Sequence, residues 1–140
     1  MSIETWKEEF YPVTAAKAAG KATDGELIEH CLRKWRGATE ENLAKHELRR
    51  DIDEANREQI DLLDDCGDVV FAFGIGTCAL CKRYFVKGCV GCPLVDDLGR
   101  QCFNGFRGYG VFADGGPPDL MIQELEGALL KWQTFNGGKK

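Results

Sequence analysis

The chain has 140 residues, 44% of them apolar and 29% charged, and a formal net charge of −5. That is the composition of a globular domain and excludes a disordered or fibrous chain. The acidic balance also excludes a uniformly basic nucleic-acid binder, which needs a positive field to release counterions from phosphate.

The charge is unevenly divided. Residues 1–77 hold 10 Lys/Arg against 17 Asp/Glu, and residues 78–140 hold 8 against 6, which leaves room for a local basic surface in the second part. The longest uncharged stretch, Val69 to Cys81, has 13 residues, short of the roughly 20 that a membrane-spanning helix needs. Glu4, Glu8 and Glu9 leave the first ten residues without the apolar run of a secretory signal. The expected setting is therefore a cytoplasm, of a cell or of something replicating inside one. In a reducing compartment seven cysteines read as metal ligands or packed thiols, not disulfides.

In chain order, Trp6 to Ala19 mixes apolar residues with Pro12 and reads as an extended lead-in with at most a short helix. Thr23 and Glu26 fit a capping box. Behind them Leu27, Ile28, Cys31, Leu32 and Trp35 recur at helical spacing until Gly37 supplies the stop. Thr39 caps a second helix, with Glu40 and Glu41 at its positive end and Leu43, Ala44 and Leu48 facing inward. Arg49 to Asp61 is so charged that it reads as a solvated helix, with Ile52, Ala55 and Ile60 its buried candidates. Asp64 to Asp68, with Gly67, breaks that pattern.

Val69 to Phe73 is a β-branched and aromatic run, a buried strand. From Gly99 to Gly116, glycines alternate with Phe103, Phe106, Tyr109 and Phe112, which predicts turns and short strands. Pro117 and Pro118 introduce a last helix with Asp119 as cap and Met121, Leu125, Ala128, Leu129 and Trp132 as its apolar stripe. Gly137 to Lys140 is a frayed tail. The expected fold is α+β: a small zinc-knuckle β element flanked by N-terminal helices and a C-terminal amphipathic helix. Three regions follow: an acidic helical region, 1–66; a four-cysteine metal-binding β/turn region, 67–116; and a C-terminal helix and tail, 117–140. They are expected to pack as one domain.

The strongest chemical signal is Cys78-x2-Cys81, seven residues, then Cys89-x2-Cys92. Each dyad can present two thiolates from one tight turn, the chelate geometry that tetrahedral zinc needs. Gly88 and Gly91 permit the backbone conformations of such knuckles. Zinc is the expected ion and an iron–sulfur cluster the alternative, since Cys92-Pro93 echoes the end of ferredoxin cluster motifs while their tight spacing is missing. Cys102 is an extra or substitute ligand, or a buried small side chain. Cys31 reads as core, Cys66 as a loop thiol, and His30 and His46 as surface or helix-end histidines. A thioredoxin-like role would need a single dyad in a βαβ pattern.

Lys82, Arg83 and Lys87 beside the dyads can offset thiolate charge. With Tyr84, Phe85 and the more distant Arg107 they also form a candidate basic, aromatic surface for nucleic acid or a protein partner. Gly74-x-Gly76-x-x-Ala79 has the spacing of a dinucleotide fingerprint but leads into a dyad and not into a phosphate-binding helix. Arg107-Gly-Tyr109-Gly110 opens like an RNA-binding strand, and the pattern lapses after it. No histidine follows His46, and no catalytic constellation is visible.

Trp6-x3-Phe10-Tyr11-Pro12-Val13, then His30-x-Leu32-Arg33-Lys34-Trp35, precede the Cys-x2-Cys, Cys-x2-Cys-Pro and Gly-Arg-x-Cys segment from Cys78 to Cys102. This arrangement resembles small uncharacterised cysteine-rich proteins encoded by bacteriophages and prophages, over most of the chain. The resemblance implies a host cytoplasm and a host-directed or accessory role, and brings no activity with it. Taken together, the expected function is a non-enzymatic, zinc-stabilised protein that binds a protein partner, such as a host factor. The alternative is a nucleic-acid-binding accessory protein that uses the basic aromatic loop.

Overall fold

Local side-chain chemistry starts five helices of the computed structural model, which describes residues 2–20, 23–51, 59–85, 88–89, 91–95 and 107–135. Helix α1 (Ile3–Phe10) begins at Ser2, α2 (Ala15–Ala18) at Thr14, α3 (Asp24–Arg36) at Thr23, α4 (Glu40–Lys45) at Thr39 and α5 (Ala79–Tyr84) at Cys78. Each of these side chains accepts the backbone N–H of the third helical residue, an amide with no partner inside the helix. Ser2 with Thr5 and Thr23 with Glu26 close reciprocal capping boxes. The lead-in carries two short helices where at most one was expected, because a cap at Ser2 lets Trp6 and Phe10, four residues apart, both enter the core.

The described ends of the Arg49 to Asp61 run, residues 49–51 and 59–61, are strand and not the expected helix. Strands β1 (Arg49–Asp51), β2 (Gln59–Leu63) and β3 (Val69–Gly74) make an antiparallel sheet in the order β1-β2-β3. Leu62 stands opposite Arg50 on one side and Phe71 on the other. Ile60 and Leu62 are buried on either side of half-exposed Asp61, a two-residue period that seats one face of the strand on the core. Residues 52–58, with Ile52 and Ala55, lie outside the described residues. Between β2 and β3, Asp64 Oδ1 accepts the N–H groups of Cys66 (3.0 Å) and Asp68 (2.9 Å), and Gly67 takes φ +84°.

A second difference falls in the glycine-rich stretch, where α6 (Gly108–Ala113) replaces the expected turns and strands; 96–106 lie outside the described residues. Gly108 is there for a helix crossing. A Cβ on it would stand 2.4 Å from the Cα of Met121 in α7 (Asp119–Phe135). Glu124 of α7 accepts the Gly108 N–H at 2.9 Å and so caps α6 from outside. Asp119 is the first residue of α7, not its cap, and the Pro118 carbonyl accepts the Ile122 N–H.

Helix α3 packs on α7 and meets the sheet through Trp35. Trp35 lies 4.9 Å, centroid to centroid, from both Phe73 and Phe112, and Trp6 stands 4.9 Å from Phe71. The core cluster draws on all three expected regions, from Trp6 through Phe73 to Leu125. The 66/67 boundary falls in the turn between paired strands, and the first region is not wholly helical. The α+β class holds. Among the described residues no helix is long and apolar enough to cross a membrane.

Candidate metal centre

The end of β3 places the first dyad. Thr77 Oγ1 donates to the Ala72 carbonyl at 2.7 Å and accepts the Gly74 N–H at 3.3 Å, which folds the chain into the 3-10 turn Ile75–Thr77 just before Cys78. Cys78 then caps α5, its sulfur accepting the Cys81 N–H at 3.3 Å. The first dyad therefore sits on a helix start, whereas a tight turn was expected. The second dyad does occupy a turn. The Cys89 N–H donates to the Tyr84 carbonyl and the Cys92 N–H to the Cys89 carbonyl. Gly88 (φ +67°) and Gly91 (φ +85°) use the left-handed backbone region, and Cys89 itself sits there at φ +65°. Holding a cysteine in that region costs on the order of 1 kcal/mol.

A thiol outside the dyads joins them. Cys31, fully buried on α3, has its sulfur 3.9 Å from that of Cys78. One turn further along, Lys34 is equally buried at 1% exposure. Its ammonium donates to the Thr77 carbonyl at 2.8 Å and lies 5.4 Å from the Phe73 ring centroid. Among the described residues no carboxylate pairs with it. The sequence did carry a signal for this pair: Leu27, Cys31 and Lys34 fall at i, i+4 and i+7 on one face, so the lysine interrupts an apolar stripe.

Thiol electrostatics tie the group together. Hydrogen bonds from the Cys31 and Cys81 thiols hold Cys78 well below the ordinary cysteine range, with the Lys34 charge assisting. The same bond, with burial, pushes Cys31 up. Burial raises Cys89, and pushes Cys92 to about 11; the charge on Cys78 adds to both. Cys78 is the natural thiolate, at a helix N-terminus that favours negative charge.

The donors are soft, largely buried sulfurs that suit zinc. In a tetrahedral zinc site with bonds of about 2.3 Å, sulfurs stand about 3.8 Å apart. The Cys31–Cys78 pair is at that spacing, while among the described residues no third thiol lies within 4.8 Å of both. Among the described residues, donor atoms of three ligand-type side chains lie within 4.8 Å of one another only at Asp64, Asp65 and Cys66, in the β2–β3 turn. Cys102 and Lys87 lie outside the described residues.

The basic aromatic surface is only partly a surface. Lys82 and Phe85 are exposed. Arg83 pairs with Asp24 at 3.0 Å and donates to the Ala19 carbonyl, and the Tyr84 hydroxyl donates to the Asp24 carboxylate at 2.6 Å. Arg107 is buried, with Nε 2.7 Å from Glu124 and Nη2 2.6 Å from the Leu94 carbonyl. Tyr109 of the RNA-binding-like tetrapeptide donates to the Phe73 carbonyl and packs edge-on against Trp35. His46 does end α4, but it is buried between Thr5 and Glu9, not on the surface. A helix does follow the dinucleotide-like spacing, yet it is six residues long and its first turn is capped by the Cys78 sulfur. No family model, curated protein or solved structure matches the chain.

Proposed function

We propose that the chain is a non-enzymatic binding protein, clamped by one zinc ion on the dyads Cys78/Cys81 and Cys89/Cys92, that acts on a protein partner. The observation that carries the reading is the close Cys31–Cys78 thiol pair at the start of α5, beside a buried ammonium that no described carboxylate balances. Four thiolates on a divalent ion leave about two negative charges, and Lys34 is a further cation, besides the expected Lys82, Arg83 and Lys87, that can offset them. Zinc supplies a structural clamp there, and its binding releases the protons that Cys89 and Cys92 hold at neutral pH. Four sulfurs leave no coordination position for water, which favours binding over catalysis. An iron–sulfur cluster is the competing occupant of the same donors.

A protein partner is favoured over nucleic acid because Arg83, Tyr84 and Arg107 are spent on Asp24, Glu124 and backbone carbonyls. The far end of α7 also exposes Leu130 (66%) and Phe135 (75%), apolar surface of the kind used in protein contacts. The setting is a reducing cytoplasm, that of a host if the chain is phage-encoded.

Affinity capture from a bacterial lysate, with and without nuclease, tests this reading. A partner kept after nuclease and lost from the Cys78→Ser variant supports it. Loss of every partner on nuclease treatment, with retardation of DNA or RNA by the purified chain at about 150 mM salt, contradicts it.

A further inference from the structure

We propose that Cys31 takes one of the four coordination positions of this centre, beside Cys78, so that the ion is anchored on α3 as well as on the dyads. The inference rests on the zinc reading above and deepens it. Its first support is distance, because 3.9 Å between the two sulfurs matches the edge of a zinc–thiolate tetrahedron. Its second is placement. Cys31 and Lys34 stand three residues apart on one helix face, both buried, and they meet two adjacent residues of the neighbouring segment. The Lys34 ammonium reaches the Thr77 carbonyl and the Cys31 sulfur reaches that of Cys78.

A thiol that only packs needs no cation beside it, and a buried ammonium without an anion costs several kcal/mol. Lys34 reaches Thr77, the residue next to Cys78, while Cys31 reaches Cys78 itself, so the buried ammonium and the thiol pair share one junction of the fold. A thiolate centre that includes Cys31 accounts for both buried side chains at once. The segment opposite is held in place by the Thr77 hydrogen bonds to Ala72 and Gly74, so this pairing is built into the end of β3. With Cys31 in the set, one of Cys81, Cys89 and Cys92 is a spare thiol.

The test uses the full chain loaded with cadmium-113, whose nucleus couples through the metal–sulfur bond to the β-protons of each ligating cysteine. Coupling to the β-protons of both Cys31 and Cys78 is the expected result. A coupling map that lacks Cys31 overturns the inference and leaves the clamp standing, whereas a chain that takes up neither cadmium nor zinc overturns both. A competition titration with zinc gives a second readout. Cys31→Val is expected to weaken binding by more than about tenfold, and affinity within about twofold of the parent contradicts a ligand role.

Discussion

Asp24 is one of the residues at which the cysteine region meets the N-terminal helices. Its carboxylate accepts the Tyr84 hydroxyl at 2.6 and 2.7 Å and pairs with Arg83 at 3.0 Å. Burial and these hydrogen bonds push the Tyr84 phenol up to about 12. A folded value above the unfolded one of about 10 means that the neutral phenol's contribution is complete below pH ~10. It is lost as pH rises through about 12. Spectrophotometric titration should therefore show a late-ionising phenol that is lost from Tyr84→Phe, beside Tyr11, whose phenol burial also raises. Tyr84→Phe, which deletes a bond to a charged acceptor and leaves the ring, should lower stability by about 1 kcal/mol in denaturant unfolding. A wild-type stability in that variant would mean that Asp24 does not need the contact.

At the scale of elements, what was legible depended on how local the deciding interaction is. The Thr23–Glu26 box and the α3 stripe lie within one helix, and both read correctly from the chain. β1 and β2 did not, because their ladder joins residues such as Arg50 and Leu62, and the charge of the run hid the Ile60/Leu62 alternation. The glycines of α6 read as turn formers, whereas Gly108 serves the approach of two helices. Two substitutions separate these uses of glycine. Gly108→Ala drives a methyl into the α7 backbone and should destabilise by about 1–3 kcal/mol. Gly127, inside α7 with nothing within 4 Å of a Cβ placed there, should gain about 0.4–1 kcal/mol on change to alanine. Thermal and urea unfolding of the pair check both signs.

For the whole molecule, the site was legible as a spacing and not as a neighbourhood. Cys78, Cys81, Cys89 and Cys92 announce themselves by paired intervals, while Cys31 and Lys34, marked in the chain only by a lysine on an apolar stripe, are brought to the site by contacts with residues 47 and 43 positions away. The core extends from the aromatic cluster of Trp35, Phe73 and Phe112 to Cys78, so a metal bound there should stabilise the entire fold. Free zinc at a thousandfold excess over its dissociation constant contributes about 4 kcal/mol by mass action. Chelation should accordingly lower the midpoint of thermal unfolding followed by tryptophan fluorescence, and an unchanged midpoint would place the metal outside the core.

The central claim is that this fold carries a metal clamp, and elemental analysis of protein purified without added metal tests it most directly. The expected result is about one zinc per chain, lost from Cys78→Ser and retained by Cys102→Ser and by Cys66→Ser, whose sulfur lies in the exposed β2–β3 turn. Less than about half an equivalent of zinc or iron, with all seven thiols freely titratable, would contradict it.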